Sequence, residues 1–397
     1  MTKRTKSLNL SRRQFVLASG GAAAALASPA FIRDLKAADE FKIAAFIALT
    51  GPASLFGPTQ KACAELAVEQ INAAGGINGR EVKLIIADGG VAPGEAAKTA
   101  VRLMLRDKVD FFAGSHDSAV RQALVATFKG KTPYVYTPIY EGGECAPNTY
   151  VVADTPAQQI GTAIPWLYKK HGLKDCYLVG NDYVWPRVLN EHTKKAVAAA
   201  GGSIVGEEYV PLGAPNKFEE IVTRIKAKNP SFVMVTVIGA YNVVFNQTFA
   251  SFGLDENITR LSALLEENTL LGIGKDNAKG LYGCMSYFES VASPDSEAFK
   301  KAYLAKMGDK APQLSLIGTD IYAGINFAAE VTKKAGSTDA AAVAKAAVDL
   351  PFKSAVGTWV MRSNRHVDKT MYMGDASSGK LEVVETFKDV ASGETCK

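Results

Sequence analysis

The sequence predicts an α/β fold: two doubly wound parallel-sheet lobes joined by a hinge. Three observations carry that expectation. From Glu40 onward, short apolar runs rich in Val, Ile and Leu alternate with longer amphipathic segments, and this alternation occurs in two successive blocks. Buried apolar runs separated by helices mean parallel strands linked by right-handed crossovers. At 397 residues the chain exceeds what one core usually serves, so two bodies of roughly 150–200 residues are expected.

The first block runs from 39 to 153. Strands are expected at Phe41–Leu49, Val82–Ala87, Val109–Ala113 and Pro133–Tyr136, with helices at Thr59–Ala73, Gly94–Leu105 and Ser118–Phe128. The second block, 154–286, repeats the pattern. Its strands fall at Cys176–Gly180, Ser203–Tyr209 and Phe232–Val237, and its helices at Gln158–Lys170, Val188–Ala199, Lys217–Lys228 and Tyr241–Phe252. The last third is less regular. Helices at Ser296–Lys306, Ile317–Lys334 and Ala340–Ala347 and strands at Gly357–Met361 and Leu381–Phe387 are too few for a third lobe. Residues 287–355 are therefore expected to complete the first lobe and 356–397 the second, with the chain crossing between lobes more than once.

In open parallel sheets, ligands bind beyond the carboxyl ends of the strands, where loops and helix N-termini converge. That rule selects the segments Thr50–Gly57, Gly114–Ser118, Tyr136–Glu141, Asn181–Arg187, Gly239–Asn242 and Glu266–Asn268.

Residues 1–38 read as an export signal and short linker. A basic start, a modest apolar stretch from Leu17 to Ala27 and the small residues Ser28-Pro29-Ala30 make a secretory pattern, with cleavage between Ala30 and Ala38. Arg12 and Arg13, followed by Gln14 and Phe15, resemble the twin-arginine signal and imply a periplasmic destination. An uncleaved anchor is the rival reading. The uncharged stretch Gln14–Ile32 approaches the span of about 20 residues a membrane helix needs, but Gly, Ala, Ser and Pro keep its hydrophobicity low. The formal net charge of +5 also resides here: Lys3, Arg4, Lys6, Arg12 and Arg13 supply five positive charges with no acid before Asp34. Beyond residue 30 the charges balance at zero, so the body carries no basic surplus for nucleic acid.

The chemistry of catalysis is missing. No Walker A sequence, Gly-x-Gly-x-x-Gly fingerprint, Gly-x-Ser-x-Gly elbow or His-Glu-x-x-His pair occurs. His116, Asp117 and Ser118 are adjacent and cannot relay to one another as a triad, whose members converge from separate segments. They read as a loop with a helix N-cap that also meets ligand. Cys63, Cys145, Cys176, Cys284 and Cys396 are odd in number, widely spaced and free of Cys-x-x-Cys pairs. Mostly free, buried thiols are expected, and neither metal nor cofactor.

Several segments together resemble the type I periplasmic solute-binding proteins of ABC importers, in the leucine/amide/urea branch. They are Phe41–Gly57, with Leu-Thr-Gly-Pro-Ala-Ser-Leu-Phe-Gly after a strand; Ala67–Val82, with Asn-Ala-Ala-Gly-Gly-Ile-Asn-Gly-Arg; Gly114–Arg121; Tyr136–Asn148; Gly180–Arg187; and Val237–Asn242. Tyr140–Gly142 and Asp182–Arg187 are similar to the short-chain-amide and urea branch in particular. The resemblance implies the type I periplasmic binding protein fold, a ligand pocket between the lobes, hinge closure over a small-molecule solute, and delivery to an ABC permease at the inner membrane.

Carried over by position, the resemblance implies that Ser118 offers a hydroxyl and helix amides, and that Tyr136, Thr137, Pro138 and Ile139 supply backbone groups and an apolar wall. Phe56 stands where amino-acid binders place an aromatic lid, and His116 where amide binders have an aromatic residue. Tyr183 and Trp185 would cover the ligand from the second lobe. Gly239, Ala240 and Tyr241 would approach it with backbone, and Glu267 would receive a ligand amino group. A small amide or urea-like solute is the expectation; a branched-chain or other amino acid, or an aromatic carboxylate, is the alternative. An amide-responsive sensor on the same fold is the rival from another class, and an enzyme lacks any nucleophile–base pair from separate segments.

Overall fold

The computed structural model describes residues 40–214 and 217–396. The expected export signal, with Arg12 and Arg13, lies outside the described residues.

The first lobe is a five-stranded parallel sheet. Its strands β1 (Phe41–Ile47), β2 (Val82–Asp88), β3 (Phe111–Ser115), β4 (Tyr134–Tyr136) and β5 (Thr149–Val151) lie in the order β2-β1-β3-β4-β5. Helices α1 (Gly57–Ala73), α2 (Pro93–Leu105) and α3 (Ser118–Phe128) connect them. Every residue of β3 and β4 is buried, as a sheet covered by helices on both faces requires.

The second lobe repeats this order. Strands β6 (Asp175–Asn181), β7 (Ser203–Val210), β8 (Phe232–Thr236), β9 (Thr259–Ser262) and β10 (Leu281–Met285) lie as β7-β6-β8-β9-β10. Two antiparallel strands, β13 (Lys369–Asp375) and β14 (Glu382–Val390), extend the sheet beyond β10. Helices α4 (Pro156–His171), α5 (Val184–Ala199), α6 (Glu219–Lys228), α7 (Gly239–Ser251) and α8 (Glu267–Ile273) complete this lobe's connections.

The last third serves both lobes. Helices α9 (Pro294–Met307), α10 (Leu316–Ala335) and α11 (Ala340–Ala347) and the hairpin β11 (Leu350–Ser354)–β12 (Gly357–Met361) return to the first lobe before β13 and β14 join the second. Helix α10 is buried almost from end to end, packed against α1, β3 and β4. The chain thus crosses between lobes three times, after Val151, after Met285 and after Met361.

All three crossings meet in one buried knot. Lys369 Nζ donates to Asp154 Oδ1 at 2.7 Å and to Ser286 Oγ at 3.2 Å, and Ser286 N donates to Asp154 Oδ2 at 3.0 Å. Each crossing contributes one of these residues. Asp320 of α10 stands 3.9 Å from the same ammonium, and burial pushes its carboxyl well up. No helix among the described residues is long and apolar enough to cross a membrane.

Cys63, Cys176 and Cys284 are free and buried, as expected, and burial pushes the Cys63 and Cys284 thiols up to about 12. Cys145 and Cys396 depart from the expectation: they form a disulfide between the loop before β5 and the tail beyond β14. The two lie 251 residues apart in sequence, which hid the pair.

Candidate functional site

Both lobes share a strand order that reverses between their first and third strands, and such a switch point opens a crevice at the strand ends. The two crevices face each other. Between them lies a cavity of about 50 Å³, room for a few water-sized groups.

The first-lobe wall is built by the loops after β1, β3 and β4. Ala48, Ala53 and Phe56 follow β1, Ser115 ends β3 with His116 through Ser118 after it, and Tyr136 ends β4 with Pro138 and Ile139 after it. Asp117 is the N-cap of α3: its Oδ1 accepts from Val120 N at 2.9 Å. Burial raises its carboxyl above the usual range despite that bond. Ser118 Oγ donates to Glu141 Oε2 at 2.6 Å, and Glu141 Oε1 accepts from Arg121 Nη2 at 2.7 Å.

His116 is held between Tyr134 Oη at 3.1 Å and the Asp117 carbonyl at 3.0 Å, and burial lowers it to about 4. It is therefore neutral at pH 7 and edges onto Phe46. Tyr136 Oη donates to the His116 carbonyl at 2.8 Å, so its ring edges the cavity with its hydroxyl hydrogen committed. Gln60, on the buried face of α1, is also committed: it donates to Ser115 O and Oγ and accepts from Ala48 N.

The second lobe contributes Tyr183 and Trp185 after β6, Ile238 after β8 and Leu264 after β9. The two rings lie 6.3 Å apart at the entry of α5. Trp185 is 2% exposed, and its Nε1 has no hydrogen-bond partner. The lobes touch beside this wall. Ala240 N donates to Pro52 O at 3.2 Å, and a Cβ on Gly239 would stand 2.0 Å from that oxygen. Gly239 also has φ +52°, so both its backbone and the space require glycine.

Five expected residues fall elsewhere. Gly239 and Ala240 form the contact between lobes and do not line the cavity. Thr137 turns inward, its hydroxyl and amide both donating to Gly114 O. Tyr241 packs edge-on against Phe218, and its hydroxyl binds Gly213 N and Ala214 O inside the second lobe. Glu267 lines a separate cavity with Glu289, Gln313 and Lys380; its Oε1 accepts from Glu289 N at 2.6 Å, and burial raises it to about 8. The cap of α8 is its neighbour Glu266, whose carboxylate accepts from Thr269 N and Asn268 N.

Several lining residues gave little sign in the sequence. Gln60 is a polar residue on an otherwise apolar helix face, which is a signal. Ile238, Leu264 and Ile317 are apolar residues among many, and nothing local sets them apart.

The chain matches the periplasmic binding protein family over residues 40–380. It is 24% identical over 380 residues to the leucine-, isoleucine-, valine-, threonine- and alanine-binding protein of Pseudomonas aeruginosa, covering 94% of this chain and 96% of that one. Among solved structures, an ABC transporter solute-binding protein from Rhodopseudomonas palustris, in complex with 3,4-dihydroxybenzoic acid, superposes with a TM-score of 0.79 at 22% identity, covering 89% of this chain and 99% of that one. A branched-chain amino acid transporter substrate-binding protein from Streptococcus pneumoniae, in complex with isoleucine, gives 0.74 at 21% identity over 88% and 99%. At these identities the two structures establish the fold alone. The relatives are binding proteins rather than enzymes, and this chain belongs to the type I periplasmic binding proteins, the solute-binding components of ABC importers.

Proposed function

We propose that the inter-lobe cavity captures a small amino acid with an apolar side chain and that the closed protein delivers it to an ABC permease at the inner membrane. The observation that carries this reading is the charge inventory of the cavity. Its wall is largely apolar and aromatic, and among its lining residues Asp117 is the one acidic side chain while His116 is neutral. A half-buried carboxylate on an apolar wall attracts a cation more strongly than it would in open water, even while it caps the helix through Val120 N. An amino acid brings an ammonium to meet it. An amide or urea leaves it unanswered, and an aromatic carboxylate adds a second negative charge.

The amino-acid-binding relatives support the same class. Closure brings the rings of Tyr183 and Trp185 over the solute and excludes water, while the altered outer surface distinguishes loaded from empty protein. Export to the periplasm by the twin-arginine route is part of the proposal. Retention of the protein in the cytoplasm when Arg12 and Arg13 are both replaced by Lys is its test.

The solute is tested by a thermal-shift panel on the full chain with alanine, valine, leucine, benzoate, acetamide and urea. A binder at a hundredfold excess over Kd stabilises by about 2.7 kcal/mol. Shifts with the amino acids and none with acetamide or urea are expected. A shift with benzoate alone overturns the amino-acid reading and leaves the transport role standing.

A further inference from the structure

A backbone hydrogen bond joins the two lobes beside the cavity, between segments that belong to none of the three crossings. Ala240 N donates to Pro52 O at 3.2 Å, flanked by the lining residues Ile238 and Ala53. Both sides of this contact are held by their own lobe. In the second lobe, Ile238 N donates to Asn181 Oδ1 at 2.9 Å, which anchors the start of α7. Tyr241 N and Asn242 N turn back to Ile238 O, whereas Ala240 N, one of the amides a helix start leaves without an internal partner, donates across to Pro52.

In the first lobe, the loop that carries Pro52 hangs on Asp88, the last residue of β2. Asp88 Oδ1 accepts from Leu49 N at 3.1 Å, Thr50 N at 3.3 Å and Gly90 N at 2.8 Å. Its Oδ2 accepts from Thr50 Oγ1 at 2.6 Å. Burial opposes its charge, but the bonds from Thr50, Gly90 and Leu49 hold its carboxyl below the usual carboxylate range. Further along the same loop, the turn Ser54–Phe56 packs against α7 and α8. Neither Asp88 nor Gly239 lines the cavity.

Resting on the closure that the reading above requires, we propose that Pro52 and Ala240 form a latch that biases the lobes toward closure before the solute arrives, with Asp88 and Gly239 as its positioning residues. Asp88 holds the Pro52 carbonyl in place, and Gly239 lets it approach. Closing an empty cleft costs free energy that solute binding must otherwise supply, and a latch lowers that cost equally for every solute. It therefore sets how tightly the protein binds and leaves the choice of solute to the cavity wall.

Four variants of the full chain test this. Asn tolerates left-handed backbone better than most residues, so the main effect of Gly239→Asn is a Cβ 2.0 Å from Pro52 O. Gly253, with φ +71° and open space around it, takes the same substitution without a clash. By calorimetry, Gly239→Asn is expected to weaken alanine, valine and leucine about tenfold each, with their ratios kept within twofold. Gly253→Asn leaves all three within twofold. Asp88→Ala also weakens all three, whereas Asp88→Asn, whose amide oxygen still accepts from the backbone amides, binds within twofold of the unaltered protein. Small-angle X-ray scattering without solute is expected to give Gly239→Asn a larger radius of gyration than the unaltered protein and Gly253→Asn.

Altered solute ratios with an unchanged radius in Gly239→Asn mean that Gly239 shapes the wall, and overturn the latch. Unchanged affinity and radius in that variant overturn it too. Failure of alanine, valine and leucine to bind the unaltered protein overturns the amino-acid reading instead, and the radius then decides the latch alone.

Discussion

In the string Leu265-Glu266-Glu267-Asn268 only one carboxylate can close the first turn of the helix, and the fold gives that place to Glu266. Glu267 is then carried under the surface, 8% exposed, where its Oε2 has no partner. Adjacent glutamates look alike in sequence; which one caps depends on the angle at which the chain leaves β9. The consequence is measurable. Glu267 is raised to about 8 in the folded protein, from an ordinary value of 4.5, so folding takes up a proton between those two pH values. Its contribution to stability is complete below pH 4.5 and is lost as pH rises toward 8, at up to roughly 1.4 kcal/mol per pH unit. Glu267→Gln mimics the protonated form, so the variant is expected to be more stable than the unaltered protein at pH 8 and about equal to it below pH 4.5. Denaturation midpoints across that range decide it, and parallel curves for both proteins would refute the assignment. Of the other site residues, Ser118, Tyr183 and Trp185 were legible because they follow strands directly. Tyr241 follows one too, yet a position two residues into the helix turns its ring to the core beside Phe218.

Most elements with a strong period were legible to within about two residues, although α5 begins at Val184, ahead of the expected Val188, and β14 runs on to Val390. Helices α3 and α11 and strand β12 occupy the residues their patterns predict. Strand β5 has three residues, too few for a pattern. Strands β9 and β13 carry Arg260 and Lys369, charges that argue against burial until their partners are known. Arg260 Nη1 donates to Asn246 Oδ1, its Nη2 to the Asn277 and Lys279 carbonyls, and its guanidinium lies 4.6 Å from the centre of the Phe249 ring. All of those partners come from other segments. The Cys145–Cys396 bridge is another long-range feature with an element-scale effect. The tail it fastens is also held by Glu394 on Gly143 N and by the Ser392 carbonyl on Thr155 Oγ1, so the folded geometry survives its loss. Replacing both cysteines by Ser is expected to cost about 2–4 kcal/mol, mainly by freeing the unfolded chain. Solute affinity should stay within twofold. Urea denaturation with and without reductant checks the first expectation and calorimetry the second; a large affinity loss would mean that the bridge shapes the cavity.

At the scale of the molecule, two lobes with a cleft at their strand ends follow from the repeated alternation of strands and helices, and the sequence shows that alternation plainly. The pairing of remote segments does not show, because it depends on which surfaces meet once the sheets have formed. The knot of Asp154, Ser286 and Lys369 is such a pairing. Helix α10 is another: it lies against β3 and β4 of a parallel sheet whose five strands were laid down some 165 residues earlier, counting from Val151 to Leu316. That placement sets a timetable for synthesis. While the ribosome is still making the second lobe, the first has its strands but lacks the apolar helix that covers one face of them, so it cannot become a finished, protease-resistant body. A chain stopped at Met285 is expected to yield rapid proteolysis of residues 40–151, and a stable fragment from it would contradict this. Any export machinery that accepts only completed cargo must therefore wait for nearly the whole message to be read.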